Sequence, residues 1–423
     1  MSRNVAYRIP GIIKATSMPP IPMASRWGSE YKNPGSKPLI NLSQGVPGEQ
    51  PHPSLIERLS KAVLTPTAQN GDTTVSGGSD SAAYGNVRGD VAMRTALVEE
   101  MRHVYGGKDK LHVDVQLEDV ALSAGCNMAF MAAAMVVAER GDEVILPVPW
   151  YFNHEMTLRI LGIEPVALPV SIEAGFLPNV EHAESLITSR TKAIALVSPN
   201  NPSGVTYPAS TFREFADLAF KHNIALILDE TYRDFVTPGP PHDLFTPKEN
   251  WSWRSNVIHL FSFSKSYRVP GHRLGALVAD KSVIEETEKV LDCMQICPAR
   301  PLQLALAPLL PSLRQDLAEQ SAKLSKRHEI FRNALEGSGW EIGASGAYFA
   351  IVKHPFKGVS GVEVCKRLAT ERGVVLLPLA NFAPQGDLAW DNWLRVSVAN
   401  VGEEALREAA TRIRESGKAL GYE

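Results

Sequence analysis

Short apolar runs of strand length recur along the middle of the chain: Val120–Leu122, Val144–Leu146, Val166–Leu168, Ala193–Val197, Ala225–Leu228, Val257–Phe261 and Ala276–Val278. Helix-length patterns separate several of them. These are Asn127–Arg140 closed by Gly141, Asn153–Leu161 closed by Gly162, and Ala209–His222 opened by Pro208. A strand that is apolar on both faces must be covered on both, and helices between successive strands supply that cover. The pattern therefore predicts an α/β fold with a mostly parallel sheet coated by helices. Residues 1–60 hold many prolines and glycines and read as an arm and loops before a helix near Ser54–Ala62. Thr65–Ala83 is polar and without periodicity; so long a loop inside a compact chain is a candidate lid or binding loop. Beyond Pro301 an amphipathic helical region, interrupted at Pro308 and Pro311, runs to about Glu336. Strand-like Tyr348–Val352, a helix at Val362–Arg372, strands at Val374–Leu377 and Leu394–Val398, and a last helix from Glu403 follow. This predicts a smaller α+β domain. The division expected is 1–50 for the arm and the start of the small domain, 51–300 for the large domain, and 301–423 for the connecting helix and the small C-terminal domain.

Composition narrows the class. Lys and Arg number 43 against 46 Asp and Glu, a net charge of −3, which argues against a nucleic-acid surface. Four cysteines, none as C-x-x-C, exclude a disulfide framework and a zinc ribbon and point to a reducing, cytoplasmic setting with no metal centre. Met1–Thr16 has no apolar core of a secretory signal. Ala121–Ala138 carries no charge and is long enough to span a bilayer, but Ser123, Gly125 and Asn127 break it into a strand and a helix. No membrane association is expected.

In an open parallel α/β sheet, ligands bind beyond the carboxyl ends of the strands. Here those ends carry Ser123-Ala124-Gly125-Cys126-Asn127, Trp150-Tyr151-Phe152-Asn153-His154, Asn200-Asn201-Pro202-Ser203-Gly204, Asp229-Glu230-Thr231-Tyr232 and Ser262-Phe263-Ser264-Lys265, with Arg273 eight residues on. Each piece alone has an ordinary reading: a turn, a helix cap or a packed histidine. Their order along one sheet edge carries the weight. Together they describe a site for a phosphorylated, electron-withdrawing aromatic aldehyde. The helix opening at Cys126–Asn127 offers N–H groups and a positive dipole end to a phosphate. Ser262, Ser264 and Arg273 add hydroxyl and guanidinium donors. Tyr151 can lie flat on the ring, Asp229 can pair with a protonated ring nitrogen, and His154 can orient that carboxylate. A charge pair at ~4 Å and an effective dielectric of ~20 is worth ~4 kcal/mol, roughly three pKa units, enough to keep a pyridine protonated. Lys265 is the amine for a Schiff base with the aldehyde, provided burial and neighbouring cations lower its pKa from ~10.4.

The residues just named resemble the site of class I/II aminotransferases of fold type I, which use pyridoxal 5′-phosphate. Ser262-x-Ser264-Lys265 followed by Arg273 resembles the family's attachment site. Asp229-x-x-Tyr232 resembles its pair on the ring nitrogen and the phenolic oxygen, and Asn201-Pro202-Ser203-Gly204 the segment whose Asn also reaches that oxygen. Tyr151 and His154 match the stacking aromatic and the His behind the Asp. Gly125-Cys126-Asn127 falls at the phosphate-cradling turn. Tyr84 is similar to the tyrosine that reaches the other subunit's phosphate. Leu394-Arg395-Val396-Ser397 resembles the segment gripping the substrate α-carboxylate, helped by Gly45 and Asn201.

The resemblance runs from about residue 40 to 410 and implies amino-group transfer between an L-amino acid and a 2-oxo acid through Lys265, in a homodimer with active sites at the subunit interface. Pro270-Gly271-x-Arg273 also resembles aminocyclopropane-carboxylate synthases. C–S lyases and carbon–carbon bond-forming relatives share the same lysine and carboxylate, so other chemistry at the α, β or γ carbon is the alternative. A regulator built on this fold would carry a helix-turn-helix extension, for which there is no room before Gly45. Two departures bear on the substrate: the length of Thr65–Ala83, and Pro378-Leu379-Ala380-Asn381 in place of the usual Pro-Gly-[Ser/Thr]. Arg300 is either a cation for an acidic substrate or an exposed or subunit-contact residue, and Trp150, Tyr348 and Phe382 either wall a side chain or pack.

Overall fold

The computed structural model describes residues 7–33, 35, 37–64, 81–108, 111–236 and 239–422. The loop reading at Thr65–Ala83 therefore falls almost wholly outside the described residues. In chain order the strands are β1 Ile40–Asn41, β2 Val120–Ser123, β3 Glu143–Val148, β4 Glu164–Pro169, β5 Thr191–Val197, β6 Ala225–Asp229 and β7 Val257–Ser262. They continue with β8 Gly275–Val278, β9 Glu341–Gly346, β10 Phe349–Lys353, β11 Val374–Val375, β12 Leu377–Pro378 and β13 Trp393–Ser397.

All seven apolar runs enter one seven-stranded sheet, ordered β2-β8-β7-β6-β5-β3-β4. Only β8 runs against its neighbours; β3 through β7 pair in parallel. β2, β3, β5 and β7 are buried or nearly so at every position, which is why they read as continuous apolar runs rather than alternating ones. The helix Ala209–Lys221 shows how the cover works. Phe212, Phe215, Ala216 and Ala219 form one stripe at i, i+3, i+4 and i+7 and are buried in the core with Leu226 and Leu228 of β6. Each phenylalanine buried this way contributes about 1.5–3 kcal/mol before entropy is charged against it.

The helix Cys126–Val137 stops three residues short of the sequence expectation. The Asp142 carboxylate accepts the Glu139 N–H at 2.9 Å, so the chain turns locally instead of adding another helical turn. The other large helices match closely: Pro53–Leu64, Phe152–Leu161 and Gly361–Arg372. Beyond Arg300 come a short helix to Leu306, a 3₁₀ stretch Ala307–Leu313 containing Pro311, and the 22-residue helix Arg314–Leu335.

A second sheet, β12-β13-β10-β9, is antiparallel throughout, and β1 pairs in parallel with β11. The run Val374–Leu377, expected to be one strand, is thus divided between two partners. No described helix is long and apolar enough to cross a membrane.

Candidate active site

Parallel register brings the predicted groups to one edge. Val197, the last residue of β5, lies opposite Asp229, the last of β6. Ser262, ending β7, lies opposite Gly275, where β8 begins, and Gly275 in turn faces Ser123 at the end of β2. The five predicted strand-end segments therefore leave the sheet on the same side.

Asp229 is 4% exposed, and each of its oxygens has a partner. Its Oδ2 lies 3.2 Å from His154 Nε2, and its Oδ1 accepts the Thr231 N–H at 3.0 Å and the Cys126 thiol at 3.7 Å. Burial alone would push this carboxyl up. The His154 contact and the Thr231 hydroxyl and N–H outweigh it, and the group is held below the ordinary carboxylate value. The His154 ring is stacked on Phe130 at 3.7 Å and meets Tyr151 edge-on at 5.1 Å, so its aim is fixed by packing. Burial and the neighbouring Asp229 raise the Cys126 thiol well above its usual range, so it remains a donor. Tyr151 is pushed up to about 12 by the same two causes. Its hydroxyl takes the Asn153 side-chain N–H at 2.9 Å and lies 3.4 Å from Asn127 Oδ1.

A concave cradle forms where the helix Cys126–Val137 begins. Gly125 precedes it at φ 85° and ψ 165°, a conformation essentially confined to glycine. A Cβ there would lie 2.2 Å from Arg273 Nη2, and one on Gly275 would lie 2.6–2.7 Å from the Gly125 and Cys126 backbone. Both glycines let a guanidinium and a strand approach free helical N–H groups. Arg273 itself sits at φ 51° and is held by the Pro270 carbonyl at 3.1 Å and the Ala124 carbonyl at 3.4 Å. Ser262 caps the lysine-bearing turn Phe263–Ser266, and Ser262 and Ser264 are both buried.

Lys265 donates from Nζ to the Gly45 carbonyl at 2.6 Å. Burial first, then the Arg273 and Arg395 cations, lowers its pKa to about 8. Arg395, on β13, is 2% exposed. It donates to Asn201 Oδ1 at 2.9 Å and to the Ser43 carbonyl, and lies between the faces of Phe349 and Phe382 at 4.5 and 4.9 Å. Among the described residues no carboxylate pairs with it, its Nε has no partner, and burial lowers its pKa to about 10. Asn201 is presented to it because neighbouring Asn200 ties the turn, accepting from the Ser203 N–H and hydroxyl at 3.0 and 2.8 Å. Tyr232 is buried against Tyr348 and Phe349, with its phenol raised well above the usual range by burial. A Cβ on Gly45 would lie 2.4 Å from Phe349, so only glycine fits there.

Three cations and one carboxylate thus share the crevice, an electrostatic excess suited to an anionic ligand. The residues fit pyridoxal 5′-phosphate: a glycine-shaped anion cradle, an aromatic face, a buried carboxylate and a depressed amine. Among the predicted residues Tyr84 stands 77% exposed, and Asn127 and Arg273 also reach solvent. Arg300 is buried, 3.3 Å from Asp90, which removes the reading of an exposed residue. Trp150, Tyr348 and Phe382 are all buried, and the Leu379–Phe382 turn that departs from the family pattern places Phe382 against Arg395. Sequence reasoning missed Phe130, Phe349, the Thr231 N–H and the Ser43 carbonyl. Only the two aromatics carried any signal, as large apolar residues beside predicted site segments.

Residues 37–413 match the family model for aminotransferase class I and II. The arginine–pyruvate transaminase of Pseudomonas aeruginosa is 29% identical over 332 residues, covering 78% of this chain and 81% of that one. An aromatic aminotransferase of Arabidopsis thaliana is 26% identical over 407 residues, covering 94% and 93%. The solved structure of a methionine aminotransferase from Escherichia coli superposes with a TM-score of 0.83 at 25% identity, covering 97% of this chain and 100% of that one.

Proposed function

The chain belongs to the class I and II aminotransferases, and from that premise we propose that it moves an amino group between an L-amino acid and a 2-oxo acid, with Lys265 as the amine that holds pyridoxal 5′-phosphate. The family uses that cofactor. Arg273, Ser262, Ser264 and the N–H groups opening the helix Cys126–Val137 would hold its phosphate, Tyr151 its ring face, Asp229 its ring nitrogen, and Tyr232 and Asn201 its phenolic oxygen. When bound, the cofactor supplies an aldehyde that captures amines and an electron sink for the charge developed at the substrate Cα.

The chain's own residues do the rest. Arg395 and Asn201 bind the substrate carboxylate and so fix which bond at Cα faces Lys265. Lys265 would take the proton from the substrate Cα as a general base and give it up to the cofactor carbon that carries the aldehyde, a task suited to an amine near pKa 8. His154 keeps Asp229 ionised and aimed. Tyr232, Phe349 and Phe382 keep water from the carboxylate anchor, which strengthens its charge pairing.

One observation carries this reading: Lys265 and Arg395 are held by carbonyls of the same short segment, Gly45 and Ser43. The amine and the carboxylate anchor are thereby set at a fixed separation. The exposed Tyr84 supports a homodimer in which it reaches the neighbouring site, and the four free cysteines support a cytoplasmic protein. We divide the chain at residues 50 and 300, with the large cofactor-binding domain between them. A panel of amino acids and 2-oxo acids tests the function. Accumulation of the pyridoxamine form with release of a 2-oxo acid is expected; release of ammonia or a thiol instead would replace transfer by elimination.

A further inference from the structure

The helix Arg314–Leu335 carries two adjoining faces. Leu317, Leu324, Phe331 and Leu335 are its apolar face and are buried. Asp316, Gln320, Lys323 and Arg327 follow at i, i+4, i+7 and i+11, within about 60° of arc at 3.6 residues per turn. A polar row beside a core stripe is normally solvated. Here Gln320 and Arg327 are each 8% exposed and face the back of the site, while Lys323 keeps about half its side chain in solvent.

The two ends of the row hold different things. Gln320 Nε2 donates to the Ser266 carbonyl at 3.1 Å and to Asp316 at 2.9 Å, and Asp316 receives Arg268 at 2.9 and 3.0 Å. Ser266 closes the turn that carries Lys265, and Arg268 follows it. At the other end, Arg327 reaches Glu49 at 3.1 Å and the Ala399 carbonyl at 2.9 Å, while Lys323 also meets Glu49 at 3.0 Å. Ala399 closes the segment that follows Arg395 and accepts the Gly48 N–H at 3.0 Å; Ser397 donates to the Leu42 carbonyl at 2.8 Å. Arg327 thus ties the Ser43–Glu49 segment and the end of β13 to one helix.

We propose that this row is a rail setting the position of the amine relative to the carboxylate anchor, with Gln320 the positioning residue for Lys265 and Arg327 the positioning residue for Arg395. The proposal rests on the assignment of those two groups above. It makes the two ends separable. Losing the Gln320 contact loosens the turn that moves the proton, whereas losing Arg327 loosens the segment and strand end that present Arg395. A purely structural helix would affect both together.

The test uses the pyridoxal-phosphate-loaded enzyme, its fastest amino donor, and the variants Gln320→Leu, Arg327→Met, Arg327→Lys and Glu49→Gln. Gln320→Leu is expected to lower kcat about tenfold, the scale of one lost hydrogen bond, with KM within about twofold and a shifted pH midpoint of the visible absorption band. Arg327→Met is expected to raise KM about tenfold with kcat and that midpoint nearly unchanged, and Arg327→Lys to recover part of the loss. Glu49 is partly exposed, so Glu49→Gln leaves the fold intact and should raise KM by a smaller factor. Parallel losses in kcat and KM that merely track the melting temperature, or no change in either, would overturn the rail. A Lys265→Ala enzyme that still held its cofactor covalently would instead remove the assignment beneath it.

Discussion

Replacing Gly125 by alanine separates backbone strain from cofactor binding in a single variant. At φ 85° and ψ 165° an alanine is strained, and its Cβ would lie 2.2 Å from Arg273 Nη2 and 2.6 Å from Cζ. The strain, about 1–3 kcal/mol, is present with or without ligand and appears as lost unfolding stability. The displaced guanidinium is felt only when the phosphate binds. A hydrogen bond to a charged group is worth about 1.5–3 kcal/mol, so the Kd for pyridoxal 5′-phosphate should rise about 10- to 100-fold. Gly271 lies in the turn Pro270–His272 that leads into Arg273 and has no positive φ, and a methyl group on its Cα would meet nothing within 4 Å. Gly271→Ala should therefore bind within about twofold of the parent, since nothing is displaced. Both constants can be read by absorbance titration of apoprotein, with inorganic phosphate as competitor and thermal melts alongside. A Gly125→Ala protein that binds as tightly as the parent, or a Gly271→Ala protein equally weakened, would refute the cradle.

Other consequences follow from the same geometry. Arg395→Met keeps most of the volume and removes the cation facing the substrate carboxylate; KM should rise at least about 30-fold, the low end of truncating a buried charged pair, and Arg395→Lys should fall between. With Lys265 near pKa 8, covalent capture of pyridoxal by apoprotein should rise with pH through about 8 and then level off. An exposed lysine would keep gaining toward ~10.4. In Arg395→Met one neighbouring cation is gone, so that midpoint should move up; an unchanged midpoint would mean the cation is not felt. Asp229→Asn removes a pairing worth ~4 kcal/mol at ~4 Å, so steady-state kcat should drop about 1,000-fold while thermal stability changes far less.

The large sheet was legible because most of its strands are buried on both faces, where apolar runs predominate. β9, Glu341–Gly346, was not, because its residues are exposed or only partly buried and include two glycines. The arm helices Gly11–Ala15 and Pro20–Ser29 were hidden by prolines that sit just before or within the first turn, where proline is tolerated. In the site, residues whose side chains carry distinctive chemistry could be read directly. The Gly45 and Ser43 carbonyls that help hold Lys265 and Arg395 could not, since any residue has a carbonyl. Gln320 and Arg327 were likewise concealed: a polar row on a long helix looks the same in sequence whether it faces water or the back of an active site.

Borohydride reduction of the cofactor-loaded enzyme, followed by peptide mass spectrometry, bears most directly on the role of Lys265. The phosphopyridoxyl group should appear on the peptide containing Lys265 and on no other. Its recovery on a different lysine, or its absence from every peptide of a protein that still transfers amino groups, would contradict the account.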